Sequence, residues 1–111
     1  MDPNLVTGTL DLLILDVLFR GDNYGYQIAQ FVITRSKGHF DIKEGSLYPA
    51  LHRLERRKLI KGYWVEPEQG RRRKYYKLTA TGREARKKKR NEWSQFNKAV
   101  GRVLGVNHGM A

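Results

Sequence analysis

Glu44-Gly45-Ser46-Leu47-Tyr48-Pro49-Ala50-Leu51-His52-Arg53-Leu54-Glu55-Arg56-Arg57 is the stretch whose reading decides the fold. Leu47, Ala50, Leu51 and Leu54 recur at helical spacing and form one apolar stripe. Ser46, Tyr48, Pro49, His52, Arg53, Arg56 and Arg57 fall mainly on the other faces, so the helix packs one side and presents a polar, basic one. Pro49 has no N–H and is tolerated only while that group belongs to the unpaired first turn. This places the helix start close to Glu44-Gly45-Ser46.

On the C-terminal side stand Leu59-Ile60-Lys61-Gly62-Tyr63-Trp64-Val65-Glu66, then Pro67-Glu68-Gln69-Gly70, then Arg71-Arg72-Arg73-Lys74-Tyr75-Tyr76-Lys77-Leu78. Aromatic and β-branched residues on both sides of a Pro/Gly turn predict a β-hairpin with a basic tip. Tyr75 and Tyr76 point to opposite faces of such a strand, so one packs and the other is free to meet a sugar or phosphate. On the N-terminal side, nearly every position from Leu5 to Phe19 is apolar, and a helix apolar around its circumference needs cover on more than one side. So short a chain offers one core, which points to a partner chain as the second cover. In Arg20-Gly21-Asp22-Asn23, Gly21 suits a left-handed terminus and Asn23 suits the cap of a second helix, about Tyr24 to Ser36, which Lys37-Gly38 stops. His39 to Lys43 alternates and reads as a short extended piece.

The last helix starts at a capping box, Thr81-Gly82-Arg83-Glu84, with Thr79 as a competing cap, and runs to about Leu104. Its first half offers only Ala85 to a core. Its second half places Trp93, Phe96, Val100 and Val103 at steps of three, four and three, which makes a seam for a partner helix. The expected fold class is therefore α+β, mostly α: a winged helix-turn-helix over residues 1–79, then a long C-terminal dimerisation helix with a frayed tail over residues 80–111.

The chain has 111 residues, with 22 Lys/Arg against 11 Asp/Glu, and no cysteine. That length excludes barrels and doubly wound dinucleotide folds, and the missing thiol excludes disulfide scaffolds, zinc fingers and cysteine nucleophiles. No run approaches the roughly 18 apolar residues needed to span a bilayer. Residues 1–4 lack the charged n-region of a signal peptide, so a cytoplasmic protein is expected. His39, Asp41, Glu44 and His52 match no metal-ligand spacing, and the Gly70 run lacks the Lys-Ser/Thr pair of a phosphate loop. No catalytic residue, metal or cofactor is expected.

Residues 53–90 hold sixteen Lys/Arg against four Asp/Glu, whereas the other 73 residues hold six against seven. A one-sign block of this kind suits a polyanion. An anionic membrane is disfavoured because the Arg83–Arg90 cluster, which reads chiefly as a solvated helix face, has almost no apolar face to insert. The helix carrying Ser46, Tyr48, Pro49, His52, Arg53, Arg56 and Arg57 fits the major groove of duplex DNA, with Arg53 as a base reader and Ser46 at a phosphate. Arg71, Arg72, Arg73 and Lys74 fit the backbone or a minor groove. About 6–10 phosphate contacts per dimer would make binding fall steeply with salt. An architectural or RNA-binding basic module without effector is the alternative.

Gly8-Thr9-Leu10-Asp11-Leu12-Leu13-Ile14-Leu15, Gly25-Tyr26-Gln27-Ile28, the stretch Glu44 to Glu55 and the stretch Gly70 to Thr79 together resemble the PadR-like transcriptional regulators, over about residues 5–104. A single C-terminal helix is similar to the short branch of that family. The resemblance implies a homodimeric, ligand-responsive DNA-binding protein, most often a repressor, whose last helix pairs with the partner's first. It implies a dimer interface with Leu5, Leu12, Trp93, Phe96, Val100 and Val103, and a pocket for a small planar aromatic ligand with Leu5, Gly8, Leu12, Trp93 and Asn97. Asn97 is neutral and Lys89 and Arg90 precede Trp93, which does not suit a cationic ligand.

Overall fold

A computed structural model describes residues 3–67 and 70–106 of the chain, with side chains from Gly8 onward. Helix α1 (Pro3–Arg20) runs through the middle of the fold. Its Leu10, Ile14, Leu15, Val17 and Leu18 are buried. Within the chain α1 packs against α2 (Gly25–Arg35), α3 (Glu44–Arg56), strand β3 (Arg73–Leu78) and α4 (Ala80–Leu104). Leu12 and Leu13 stay half-buried and Phe19 is 45% exposed. The Leu5 side chain lies outside the described residues.

After α1 the expected caps are replaced by a tertiary pairing. Among the described residues the positive-φ glycines are Gly38, Gly70 and Gly105, so Gly21 does not take the left-handed terminus. Asn23 does not cap α2; Asn23 and Tyr24 form a short strand, β1, paired antiparallel with β3 at Asn23↔Tyr76 and Tyr24↔Tyr75. The N-cap of α2 is Tyr24, with no side-chain bond, because the ladder fixes the backbone there. Residues 39–43 join no ladder. Instead the Phe40 N–H donates to Ser36 Oγ at 3.0 Å, and Phe40 and Ile42 pack against the core.

In α3 the buried residues are Leu47, Ala50, Leu51 and Leu54, the stripe read from spacing. The helix starts where expected, yet Pro49 then falls beyond the unpaired first turn. The helix begins at Glu44, so the missing amide is the one that would bond Gly45 C=O, and both residues are exposed to water. At the C-terminus the Leu59 N–H donates to Leu54 C=O at 3.0 Å and the Lys58 N–H to Glu55 C=O at 2.9 Å, a Schellman closure. It places Lys58 at φ 61, where glycine is the usual occupant.

Strand β2 (Ile60–Val65) pairs antiparallel with β3, from Ile60↔Leu78 to Val65↔Arg73, and the sheet order is β1-β3-β2. Ile60 and Tyr76 enter the core, and Tyr75 takes the opposite face. The cap of α4 is Thr79, not Thr81: Thr79 Oγ1 accepts the Gly82 N–H at 3.0 Å and the Thr79 N–H donates to Leu59 C=O at 3.1 Å. Gly82 is buried, and a Cβ there would stand 1.9 Å from the Leu59 carbonyl oxygen. Only glycine lets α4 pass that close to the end of α3. Gly105, at φ 72, closes α4.

Candidate nucleic-acid interface

The apolar stripe of α3 faces inward, so Ser46, Tyr48, Pro49, His52, Arg56 and Arg57 form an exposed surface. Tyr48 lies over the start of α2, where a Cβ on Gly25 would meet its ring at 3.3 Å; this close approach joins the two helices of the helix-turn-helix. Ser46 keeps its hydroxyl for an anion, but its N–H donates to Lys43 C=O at 3.0 Å. Arg53 is placed differently from expectation. Its Nη2 lies 2.6 Å from Asp11 Oδ1 of α1, with the Arg53 side chain 33% and the Asp11 side chain 8% exposed. A carboxylate on an apolar helix needs a cation, and Arg53 is the cation that meets it. It ties α3 to α1, with a third of the side chain still exposed.

The wing also sorts its cations. Arg71, Arg72 and Arg73 are exposed. Arg72 lies 4.7 Å over the exposed Trp64 ring and its Nε meets Glu66 Oε1 at 2.7 Å, which leaves its terminal nitrogens to reach outward. Arg73 lies 4.6 Å over Tyr24. Lys74 turns back to Glu55 Oε1 at 3.2 Å and leaves the outward set. Glu55 also accepts the Gly62 N–H at 2.9 Å, which fixes the base of the hairpin to α3. Burial alone would push the Glu55 carboxyl up, but the Gly62 amide, the Lys74 ammonium and His52 outweigh it and hold the group below its ordinary value. On the outer face, Tyr63 donates to Asp22 Oδ2 at 2.6 Å, and that bond, first among its causes, raises the Tyr63 hydroxyl above its usual range.

Along α4, Trp93, Phe96, Val100, Val103 and Leu104 are 50%, 64%, 36%, 86% and 67% exposed, a continuous apolar strip. Trp93 borders two open clefts. One, of about 280 Å³, lies between α1 and α4 and is lined by Leu12, Leu13, Phe40, Arg86, Arg90 and others. The other, of about 320 Å³, brings Gly8, Thr9, Leu12, Lys89 and Phe96 to the other side of Trp93. Asn97 is half-buried and lines neither cleft.

Sequence reading missed four participants. Asp11 and Asp16 interrupt an apolar helix, which was the available signal that each meets a cation. Arg86, counted there with a solvated face, bonds Asp16 Oδ1 at 2.8 Å and covers the Phe19 ring at 3.7 Å, so the first half of α4 offers the core more than Ala85. Tyr26, 61% exposed at the start of α2, stands free on the helix-turn-helix. Among the described residues no group of three His, Cys, Asp or Glu could hold a metal ion, and no helix is long and apolar enough to cross a membrane.

The chain matches the model of the transcriptional regulator PadR-like family over residues 14–88. It is 33% identical over 97 residues to an uncharacterised protein of Lysinibacillus sphaericus, covering 87% of this chain and 89% of that one. Among solved structures, a transcriptional regulator from Clostridium thermocellum is 35% identical, with TM-score 0.81, covering 89% of this chain and 96% of that one. A PadR family transcription regulator from Clostridium difficile is 40% identical, with TM-score 0.75 and coverages of 86% and 97%. Helix-turn-helix, wing and terminal helix thus agree with sequence similarity across most of the chain: it belongs to the PadR-like family of transcriptional regulators.

Proposed function

We propose that the protein is a homodimeric repressor that reads duplex DNA with α3 and holds it with the wing. The observation that carries this reading is the exposed row of Ser46, Tyr48, Pro49, His52, Arg56 and Arg57 on α3, beside Arg71, Arg72 and Arg73 at the wing. An α-helix fits the major groove, where Arg56 and Arg57 offer bidentate donors to guanine, and the wing arginines suit phosphates or a narrow minor groove. Dimerisation is supported by the exposed strip of Trp93, Phe96, Val100 and Val103, which is larger than lone apolar residues on a monomer require. Leu5 and Leu12 of the partner's α1 would complete that interface. A small planar aromatic ligand against Trp93, near Gly8 and Leu12, with Leu5 and Asn97 at the margin, would relieve repression; the open clefts on both sides of the indole support it.

Selection from a pool of random duplexes tests the reading, followed by footprinting and a promoter-fusion assay. The expected result is a two-fold symmetric site, bound at least about a thousandfold tighter than random sequence at matched salt, and transcription that falls when it is occupied. Absence of any preferred duplex would leave a charge-driven architectural or RNA-binding module and overturn the proposal.

A further inference from the structure

Beyond α3 and the wing tip, the outer face of the sheet carries an arrangement that folding alone does not explain. Strand alternation puts Lys61 and Tyr63 of β2 with Lys77, Tyr75 and Arg73 of β3 on the face opposite Ile60 and Tyr76. In that register Lys61 and Lys77 are direct cross-strand partners, and both are exposed. Like charges in direct opposition destabilise a sheet, and among the described residues neither lysine has an ion-pair partner. A third lysine, Lys58, is held left-handed at φ 61 at the adjoining end of α3. Residues 56–65 and 75–83, which build this corner, contain six Lys/Arg and no Asp or Glu. Asp22, a carboxylate that meets this face, is engaged by the Tyr63 hydroxyl at 2.6 Å.

We propose that this face is a second phosphate-tracking surface, which carries the duplex flanking the site bound by α3 and the wing. The inference rests on the DNA-binding reading above. From Arg73 to Lys77 the strand spans about 13 Å, equal to the rise of about four base pairs. A backbone leaving the wing tip would pass Arg73, then the edge of Tyr75, then the Lys61/Lys77 pair. Duplex DNA is the occupant that fits, because it offers a regular row of anions to a row of cations and needs no base contact here.

The test uses the selected site in two duplexes, one ending at the footprint of α3 and the wing, the other extended by about eight base pairs on each side, with affinity measured over a range of salt. Wild type binds the long duplex more tightly and with a steeper salt slope. Lys61→Ala/Lys77→Ala binds the short duplex as wild type does, and on the long duplex its slope falls by about two per protomer. Lys77→Glu gains an opposite-charge partner in Lys61, so it unfolds at the same or a higher denaturant concentration while losing the length-dependent increment. Equal wild-type affinity for both duplexes, or equal losses on both in the variants, overturns the proposal. Failure to prefer any sequence would refute the reading of α3 instead, and the length increment on random-sequence duplexes still decides for or against the sheet face.

Discussion

Replacing Asp11 or Arg53 tests whether α3 is aimed by α1. The pair is short, 2.6 Å, with Asp11 at 8% side-chain exposure and Arg53 at 33%. Fully exposed pairs contribute about 0.2–1 kcal/mol, whereas removing one partner of a buried pair costs about 3–5 kcal/mol. In Asp11→Asn the stranded Arg53 can turn its guanidinium toward water, so the expected loss lies between these limits, about 2 kcal/mol. In Arg53→Met the stranded group is the more deeply buried carboxylate, and the expected loss is about 3 kcal/mol. The double variant strands no charge and should lose less than the sum of the singles, with a coupling of about 2 kcal/mol. Urea unfolding at one fixed protein concentration is the assay, because a dimer's stability depends on concentration. On heating, Asp11→Asn should melt about 10 °C lower. If Arg53 were only a base reader, Arg53→Met would change the selected DNA sequence while leaving the unfolding free energy within about 0.5 kcal/mol of wild type, and that result would refute the reasoning.

Gly82→Ala should destabilise by about 3 kcal/mol or more, since its Cβ would meet the Leu59 carbonyl at 1.9 Å; an unchanged denaturation midpoint contradicts the close approach of α4. Glu55 titrates below its ordinary value of 4.5 in the folded state, so its contribution is present above that pH and is lost as pH falls through the folded value. The stability gap between wild type and Glu55→Gln should therefore be constant above about pH 5 and shrink below about pH 4.5; a gap that does not change from neutral pH to about pH 3 would show that the carboxylate's charge is not what matters. Trp93→Ala/Val100→Ala should sediment at half the wild-type mass at micromolar concentration, and an unchanged mass would place the dimer seam elsewhere.

What the sequence disclosed follows from where its periodic signals are strong. The stripe Leu47, Ala50, Leu51 and Leu54 is buried as spacing requires, and the hairpin around Pro67 and Gly70 pairs strands where aromatic and β-branched residues cluster. β1 was invisible because two residues carry no period, and its existence is decided by Tyr75 and Tyr76, more than fifty positions away. Arg53 and Lys74 were assigned to DNA because a cation in a basic run looks the same whether it faces water or a carboxylate. Only the tertiary approach of Asp11 and Glu55 tells them apart from Arg56 and Arg57. The contribution of α4 to the core was read short for a related reason: beyond Ala85 its first half looks wholly polar, yet Arg86 covers Phe19 with its guanidinium while bonding Asp16.

This sorting changes what the charge of the chain means for binding. Of the sixteen cations in residues 53–90, Arg53, Arg72, Lys74 and Arg86 hold carboxylates of the same chain, so the local excess is not a count of phosphate contacts. Counterions leave the DNA when protein cations neutralise its phosphates; Arg53 and Arg86, already paired with Asp11 and Asp16, are expected to contribute less to that release than unpaired cations. A salt slope equal to the block's full cation count is therefore not expected. Asp11 grips the reading helix and Asp16 grips the terminal helix, five residues apart on one rigid element. Asp16 and Arg86 also line the Trp93 cleft between α1 and α4, so α1 carries one ion pair at that cleft and another at α3.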